Sequence, residues 1–375
     1  MSEDWQGKTI IGLTGNIATG KSIVRKMLEH LGAYGIDADA LSHRAIARDA
    51  PGYQPVVENF GKWILGSDGQ IDRSKLGKIV FTDPSALTLL ESIVHPLVRQ
   101  AEEALIRHSK QRVVVVEAIK LIESGFARLC DSIWVTTAPE DVQLKRLMAK
   151  RGMSEEIAWQ RIKSQAPQED KVRFANVVIR NDSTFEDTWK QVVFAWKNIV
   201  PEMEQPKIEV SKSGFRIVRA KPQQAQEIAD AINQLSNGKQ KMNREDVMAL
   251  FGEKAFLLIQ SGERVYGVIG WRVENLVARV EDFFLEKKMP LDKIVTQLIT
   301  EIENASKELQ CEATLLFLPP DMTLHRELWH DLGYHEVSIQ ALGVRAWQEA
   351  AIESMPAGTV LWFKRLREDL VLKPV

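Results

Sequence analysis

Cysteine, long apolar runs and an excess of either charge are all lacking in this chain, and each absence excludes something. Cysteine occurs twice in 375 residues, at Cys130 and Cys311, with no CxxC and no Cys/His pair at metal-ligand spacing. That excludes a disulfide framework or a cysteine-based zinc site and leaves two isolated thiols. No window approaches the run of about 20 apolar residues that a membrane-spanning helix needs, and the start "MSEDWQGKTIIGLT" lacks a basic, apolar leader. The expectation is a soluble, cytoplasmic protein. Forty-nine basic against 51 acidic side chains give a net charge of −2, so neither nucleic acid nor a membrane surface is indicated as a partner.

The hydrophobic content of 45% is ample for folded cores, and the length exceeds one typical domain, so two are expected. Over the first two hundred residues, short apolar runs alternate with amphipathic stretches, the pattern of a parallel sheet. The strand candidates are 8–14, 33–37, 112–118, 132–137 and 176–180; "RVVVVEA" (112–118) is a continuous β-branched run, as befits a strand covered on both faces. The interval 40–110 reads as a helical insertion. "PEMEQPKIEVSKSG" (201–214), with two prolines and little apolar periodicity, reads as a linker. The domains expected are 1–200 and 214–375, joined by 201–213. In the second, strands are expected at 215–220, 254–260, 264–274, 276–285, 313–319 and 335–339, with helices near 222–235, 291–309 and 323–334, an α+β arrangement.

"GLTGNIATGKSIV" (12–24) matches GxxxxGK[ST] between an apolar strand and an amphipathic helix. Glycines let backbone N–H groups turn inward onto phosphates, and the helix start adds its positive dipole end. The pattern makes Gly15, Asn16, Ile17, Ala18, Thr19, Gly20, Lys21, Ser22 and Ile23 candidates for ATP binding. Lys21 would reach the β/γ-phosphates and Ser22 would hold Mg²⁺. Asn16 and Ala18 stand where related loops often carry glycine. Asparagine tolerates a left-handed backbone well, so position 16 is the easier departure and Ala18 the less comfortable one. After the second strand, "GIDADALSHRAI" (35–46) supplies Asp37 and Asp39, either of which is positioned to take a proton from an acceptor hydroxyl. Asp39 is equally readable as a cap for a helix starting at Ala40.

In order, "GLTGNIATGKS" (12–22), "GIDAD" (35–39), "VFTDPSALTLLESIVHPLV" (80–98), "VEAIKLIESGF" (116–126), "QLKRLMAKRGMSEEIAWQRIKSQ" (143–165) and "ANVVIRND" (175–182) resemble the dephospho-CoA kinases across roughly residues 8 to 200. The resemblance implies a P-loop kinase fold with a parallel sheet, a helical insertion and a lid. It implies that ATP and Mg²⁺ serve to phosphorylate the ribose 3′-hydroxyl of dephospho-CoA, with Asp39 as general base and Asp37 in support, toward substrate or Mg²⁺. It implies that Arg146 neutralises charge on the transferring group. His95 and Lys120 are candidates on the acceptor side; Arg151 and Arg161 either close over ATP or form a solvated face. Asn176 and Arg180 replace two of the family's usual aspartates and bear on nucleotide preference. The motifs leave open a P-loop kinase for another nucleoside or nucleotide, or a CoA-responsive regulator without turnover.

Residues 214–372 resemble GNAT-type N-acyltransferases in "FRIVRAKPQQAQEIADAIN" (215–233), the hairpins of 255–285 and "HRELWHDLGYHEV" (325–337). That resemblance implies acyl-CoA as a ligand. An active member needs a glycine-rich pyrophosphate turn after its fourth strand, yet "EKKMPLDKIVTQL" follows "EDFFL" with no glycine. Glu286 opposes a pyrophosphate, Pro290 removes a donor, and Lys287 and Lys288 supply charge without an amide cradle. The second domain is therefore expected to be non-catalytic. Oligomeric state is not legible.

Overall fold

The computed structural model describes residues 5, 7–80, 82–199, 215–262, 264–286, 289, 291–368 and 371–372. The expected linker lies outside the described residues, as do Lys287, Lys288 and Pro290.

In the first half, strands β1 (Thr9–Thr14), β2 (Tyr34–Asp37), β3 (Val113–Glu117), β4 (Ser132–Thr137) and β5 (Val177–Arg180) form one parallel sheet in the order β2-β3-β1-β4-β5. The helices are α1 (Lys21–His30), α2 (Ala38–Ala45), α3 (Tyr53–Phe60), α4 (Arg73–Val80), α5 (Pro84–His108), α6 (Glu140–Arg151), α7 (Glu155–Lys163), α8 (Gln168–Val172) and α9 (Phe185–Ile199). β3 is buried at every residue. Helix α1 turns Val24, Met27 and Leu28 onto the sheet, an i, i+3, i+4 stripe. Helices α2 to α5 make the insertion between β2 and β3. Pro96 does not end a helix as its residue type suggests; α5 runs through it. Val94, Val98, Ala101 and Leu105 form one buried stripe on both sides of the proline, and that packing outweighs the lost hydrogen bond.

The second half holds β6 (Arg216–Arg219), α10 (Ala225–Leu235), α11 (Arg244–Leu250), β7 (Ala255–Ser261), β8 (Arg264–Glu274), β9 (Val277–Leu285), α12 (Leu291–Glu308), β10 (Ala313–Leu318), α13 (Arg326–Asp331), β11 (His335–Glu336), α14 (Arg345–Ser354) and β12 (Val360–Arg365). Its sheet has the order β11-β12-β10-β9-β8-β7-β6. β9 and β10 run parallel, paired only from Val277 with Ala313 to Val280 with Leu316. Sequence reading missed β12 and α14, and it overextended β11, which is two residues long.

The two halves pack together. Arg44 of α2 forms an ion pair with Glu312, whose side chain is 0% exposed. Gln310 Nε2 donates to Leu105 O at 2.8 Å. The His30 ring lies edge-on to Phe251 and shares a 2.7 Å hydrogen bond with the Phe251 carbonyl. Its Nδ1 is buried without a partner. Burial first, and the Arg219 charge second, push the imidazole down to about 3.

A histidine held neutral in the fold contributes stability above its unfolded pKa, and that contribution falls as pH drops toward the folded value, because only the unfolded chain takes up the proton. The expected loss is about 1.6 kcal/mol between pH 6.5 and pH 5, the slope rising toward roughly 1.4 kcal/mol per unit as the unfolded histidine becomes fully protonated. Denaturant unfolding of wild type against His30→Gln at the two pH values measures it; the variant, which keeps a donor for Phe251 but cannot titrate, should lose less stability over that interval.

Candidate active site

The loop between β1 and α1 is shaped by contacts that leave no room for larger side chains. Gly15 (φ +151°) and Gly20 (φ +96°) hold its ends. A Cβ on Gly15 would lie 2.4 Å from Thr136 Oγ1, and one on Gly20 would lie 1.8 Å from Asn181 Nδ2. Asn181, buried at the end of β5, donates to Thr19 O at 3.0 Å and accepts from Thr188 Oγ1 at 3.1 Å. Thr19 Oγ1 meets Thr136 Oγ1 at 2.8 Å. The first amides of α1 are therefore presented in a fixed frame, unpaired within the helix as all first-turn amides are.

Ala18, not Asn16, takes the left-handed backbone, at φ +58°. Asn16 instead ties the loop to the lid, its Nδ2 donating to Ala166 O at 2.8 Å. Ile17 N donates to Gln165 Oε1 at 2.6 Å, and the Ile17 side chain packs with Leu147, Ala158 and Ile162 of the lid helices α6 and α7. Arg146 donates to Ala18 O (3.1 Å) and Asn181 O (2.9 Å). The lid is thus fastened to the loop at Asn16, Ile17 and Ala18. Arg151 and Arg161 are exposed on α6 and α7. Ile23 is half-buried against the core under α1, so its share in nucleotide contact would come from its backbone.

Lys21 is buried, its Nζ donating to Gly15 O (3.1 Å) and Asn16 O (3.2 Å). Burial lowers its pKa, and the nearby charges of Glu117, Asp39 and Asp37 oppose that. Ser22 is exposed, and its Oγ donates to Glu117 Oε1 at 2.8 Å. Glu117, the last residue of β3, also accepts from Arg25 Nε at 2.7 Å.

Asp37 and Asp39 separate in role. The helix after β2 starts at Ala38, and its cap is Asp37, which accepts from Ala40 N at 2.9 Å. Asp39 is therefore not a cap. Its Oδ2 accepts from Ile119 N at 3.3 Å. Burial raises the pKa of Asp39 and the Lys21 charge opposes the rise. Burial, then the Glu117 charge, push Asp37 up to about 6. The Ile119 carbonyl in turn accepts from Thr14 Oγ1 at 3.1 Å and from the buried Lys171 Nζ of α8. The backbone of one residue, through its N–H and its C=O, so ties the acid-bearing helix, β1 and α8.

The remaining candidates stand apart from that cluster. Lys120 pairs with Glu91 of α5 at 2.6 Å, and His95 is exposed on α5. Asn176 Oδ1 accepts from Ile133 N at 2.7 Å, joining β5 to β4, while the backbone of Arg180 is held by Gln191. Glu117, Arg25, Lys171, Gln165 and Asn181 were missed from sequence. For Glu117 a signal exists: an acid closing an apolar strand that lies beside the loop strand.

A glycine-turned loop opening onto a helix start, with a buried acid beside it and a basic lid over it, is built to move phosphoryl groups; the first domain is a P-loop phosphotransferase. The family model described as dephospho-CoA kinase matches residues 9–187. A dephospho-CoA kinase of Carboxydothermus hydrogenoformans is 44% identical over 197 residues, covering 50% of this chain and 96% of that protein. The chain belongs to the dephospho-CoA kinase family, and its first domain is a dephospho-CoA kinase domain with ATP as co-substrate. Among solved structures, TT1252 from Thermus thermophilus is similar at 29% identity and TM-score 0.47, covering 52% of this chain and 99% of that one. A GNAT-family acetyltransferase from Staphylococcus aureus is similar at 17% identity and TM-score 0.32, covering 41% of this chain and 99% of that one. Among the described residues no helix is long and apolar enough to cross a membrane.

Gly20→Ala forces a Cβ into Asn181 at a left-handed position and should displace the loop. The expected outcome is loss of ATP binding by calorimetry and a fall in kcat/KM of about a hundredfold or more, with the far-ultraviolet spectrum retained.

Proposed function

We propose that the chain, acting in the cytoplasm, phosphorylates the ribose 3′-hydroxyl of dephospho-CoA with MgATP, through a kinase domain of residues 1–200 joined by 201–213 to a non-catalytic domain of residues 214–375. The observation that carries the reading is the backbone of Ile119, whose N–H holds Asp39 and whose C=O holds Lys171 beside the phosphate loop. Asp39 accepts the hydroxyl proton as the oxygen attacks the γ-phosphorus, and the bond to the β-phosphate oxygen breaks to release ADP. Burial strengthens Asp39 as a base, while Lys21 keeps it ionised. Lys21 and Arg146 set positive charge around the transferring group. Gly15 to Ile23 supply the amides of the phosphate cradle; Asp37 supports the helix that carries Asp39.

The donor set fits a magnesium ion. The Ser22 hydroxyl and Glu117 carboxylate are hard oxygen donors 2.8 Å apart, and among the described residues no cluster of three or more His, Cys, Asp or Glu side chains offers a metal cage. Magnesium typically uses one or two such protein ligands, with water and phosphate completing its shell; when bound, it neutralises phosphate charge. His95 and Lys120 belong to the acceptor side in this reading, at the periphery.

For the second domain, Glu286 and the end of β9 support a non-catalytic role. Glu286 pairs with Arg264 at 2.8 Å and its N–H serves Tyr266 O. Phe283 and Leu285 pack with Trp329, Leu316 and Leu318, beyond the point where β9 and β10 stop pairing.

Asp39→Asn should lower kcat by about a hundredfold or more while ATP affinity stays near wild type; near-normal turnover would remove Asp39 from the role of base. Purified full-length protein incubated with acetyl-CoA and polyamine or peptide amines should release no CoA above the uncatalysed rate, and measurable amine acetylation would restore catalysis to the second domain.

A further inference from the structure

The charged residues beneath the phosphate loop do not end at the site. Glu117 accepts from Ser22 Oγ and from Arg25 Nε. Arg25 Nη1 donates to Glu29 Oε1 at 2.7 Å, and Lys26 Nζ donates to the other Glu29 oxygen at 2.9 Å. Lys26 Nζ also donates to the backbone carbonyl of Val273, at the end of β8 in the second domain, at 2.6 Å. Arg25, Lys26 and Glu117 are 3%, 7% and 4% exposed. A continuous run of charge-assisted hydrogen bonds therefore connects a hairpin of the second domain to the hydroxyl of the phosphate loop.

That hairpin is seated with force. Its two-residue turn, Asn275 (φ +51°) and Leu276 (φ +62°), is left-handed at both positions, a conformation leucine adopts at a cost of about 1 to 2 kcal/mol. Leu276 is 8% exposed and belongs to the apolar cluster of the first domain with Tyr34, Ile36 and Leu105. Burying a leucine is worth about 1.5 to 3 kcal/mol, which offsets the strain. The dependence runs both ways: the buried Glu312 of the second domain has its cation, Arg44, in the first.

We propose that the second domain is a structural component of the phosphoryl-transfer site, and that Lys26, gripped by the Val273 carbonyl, is a positioning residue that keeps Arg25 on Glu117. The reason is a count of charges in a low-dielectric space. Arg25 faces Glu29, Glu117 and, at 3.9 Å, Asp37. With Lys26 satisfying Glu29, the guanidinium is available to Glu117; without it, Arg25 alone must hold both Glu29 and Glu117 by hydrogen bonds, with Asp37 and Glu274 also in its field and Lys21 the remaining cation near Glu117, and Glu117 loses its fixed orientation toward Ser22. The proposal rests on the reading that Ser22 and Glu117 hold the metal.

The test uses full-length protein and two readouts: kcat, and the gain in ATP affinity that Mg²⁺ confers, from calorimetric titrations with and without the ion. Lys26→Met should lower both about fivefold or more, the scale of coupling between linked sites, and leave metal-free ATP affinity unchanged. Lys26→Arg should restore them. Leu276→Gly, which relaxes the turn and withdraws its leucine from the first domain's apolar cluster while leaving every member of the charged run in place, should move both in the same direction. The proposal is overturned if Lys26→Met unfolds cooperatively like wild type yet keeps both within about twofold, the range of ordinary surface substitutions. Should Lys26→Met fail to fold, Leu276→Gly decides, and wild-type values there overturn it. Glu117→Gln separates the two readings: if it keeps the Mg²⁺ gain the metal assignment fails, whereas loss there with retention in Lys26→Met sinks the relay alone.

Discussion

A carboxylate buried to 4% exposure needs cations and hydrogen-bond donors in place of its water, and Glu117 imposes that condition on the first domain. Its partners come from one helix. Ser22 and Arg25 stand three residues apart on α1, so the helix that begins in the phosphate loop also carries the guanidinium that balances β3. Loop, helix and acid are consequently one rigid unit. Asp37 closes the neighbouring strand β2 within reach of the same arginine, and its elevated pKa reflects burial first and the charge of Glu117 second.

Around that unit, the sheet order does the assembling. β1 lies between β3 and β4, so the loop leaving it is flanked by Glu117 and Ile119 on one side and by Thr136 and, one strand further, Asn181 on the other. The lid reaches the loop through polar ties to backbone and through the Ile17 side chain. A loop so braced accepts an alanine at φ +58° because the surrounding contacts over-determine its path.

Much of this is legible in the sequence itself. A β-branched run, a glycine-turned loop and an amphipathic helix each carry a local signature, and so the five strands of the first sheet and the site around Lys21, Ser22 and Asp39 can be read. What escapes is non-local or positional. Gln165 and Asn181 meet the loop from 148 and 162 positions away, and Lys171 reaches the Ile119 carbonyl across 52; only the folded sheet and lid bring them there. Residue type misleads at Asn16, where tolerance of a left-handed backbone is the expectation and a hydrogen bond to the lid is the actual use. It misleads at Pro96, where packing on both sides carries the helix through. Asp37 and Asp39 need the helix start fixed to one residue before cap and free acid can be told apart. In the second domain β12 is easily overlooked, although "VLWFKR" pairs along all six residues with β10.

The joints between the halves have a bearing on how the chain reaches its native state. Each sheet is made from contacts within its own half, whereas Lys26 to Val273, Arg44 to Glu312 and Arg73 to Glu349 span 247, 268 and 276 positions. Such pairings close only after both partners exist, and the entropy of bringing distant segments together delays them. The left-handed turn at Leu276 must therefore seat in a late docking step, on the millisecond-to-minute scale typical of domain association. During synthesis the kinase half leaves the ribosome well before its counterpart, so a newly made chain passes through an interval with the first fold complete and the hairpin still to arrive.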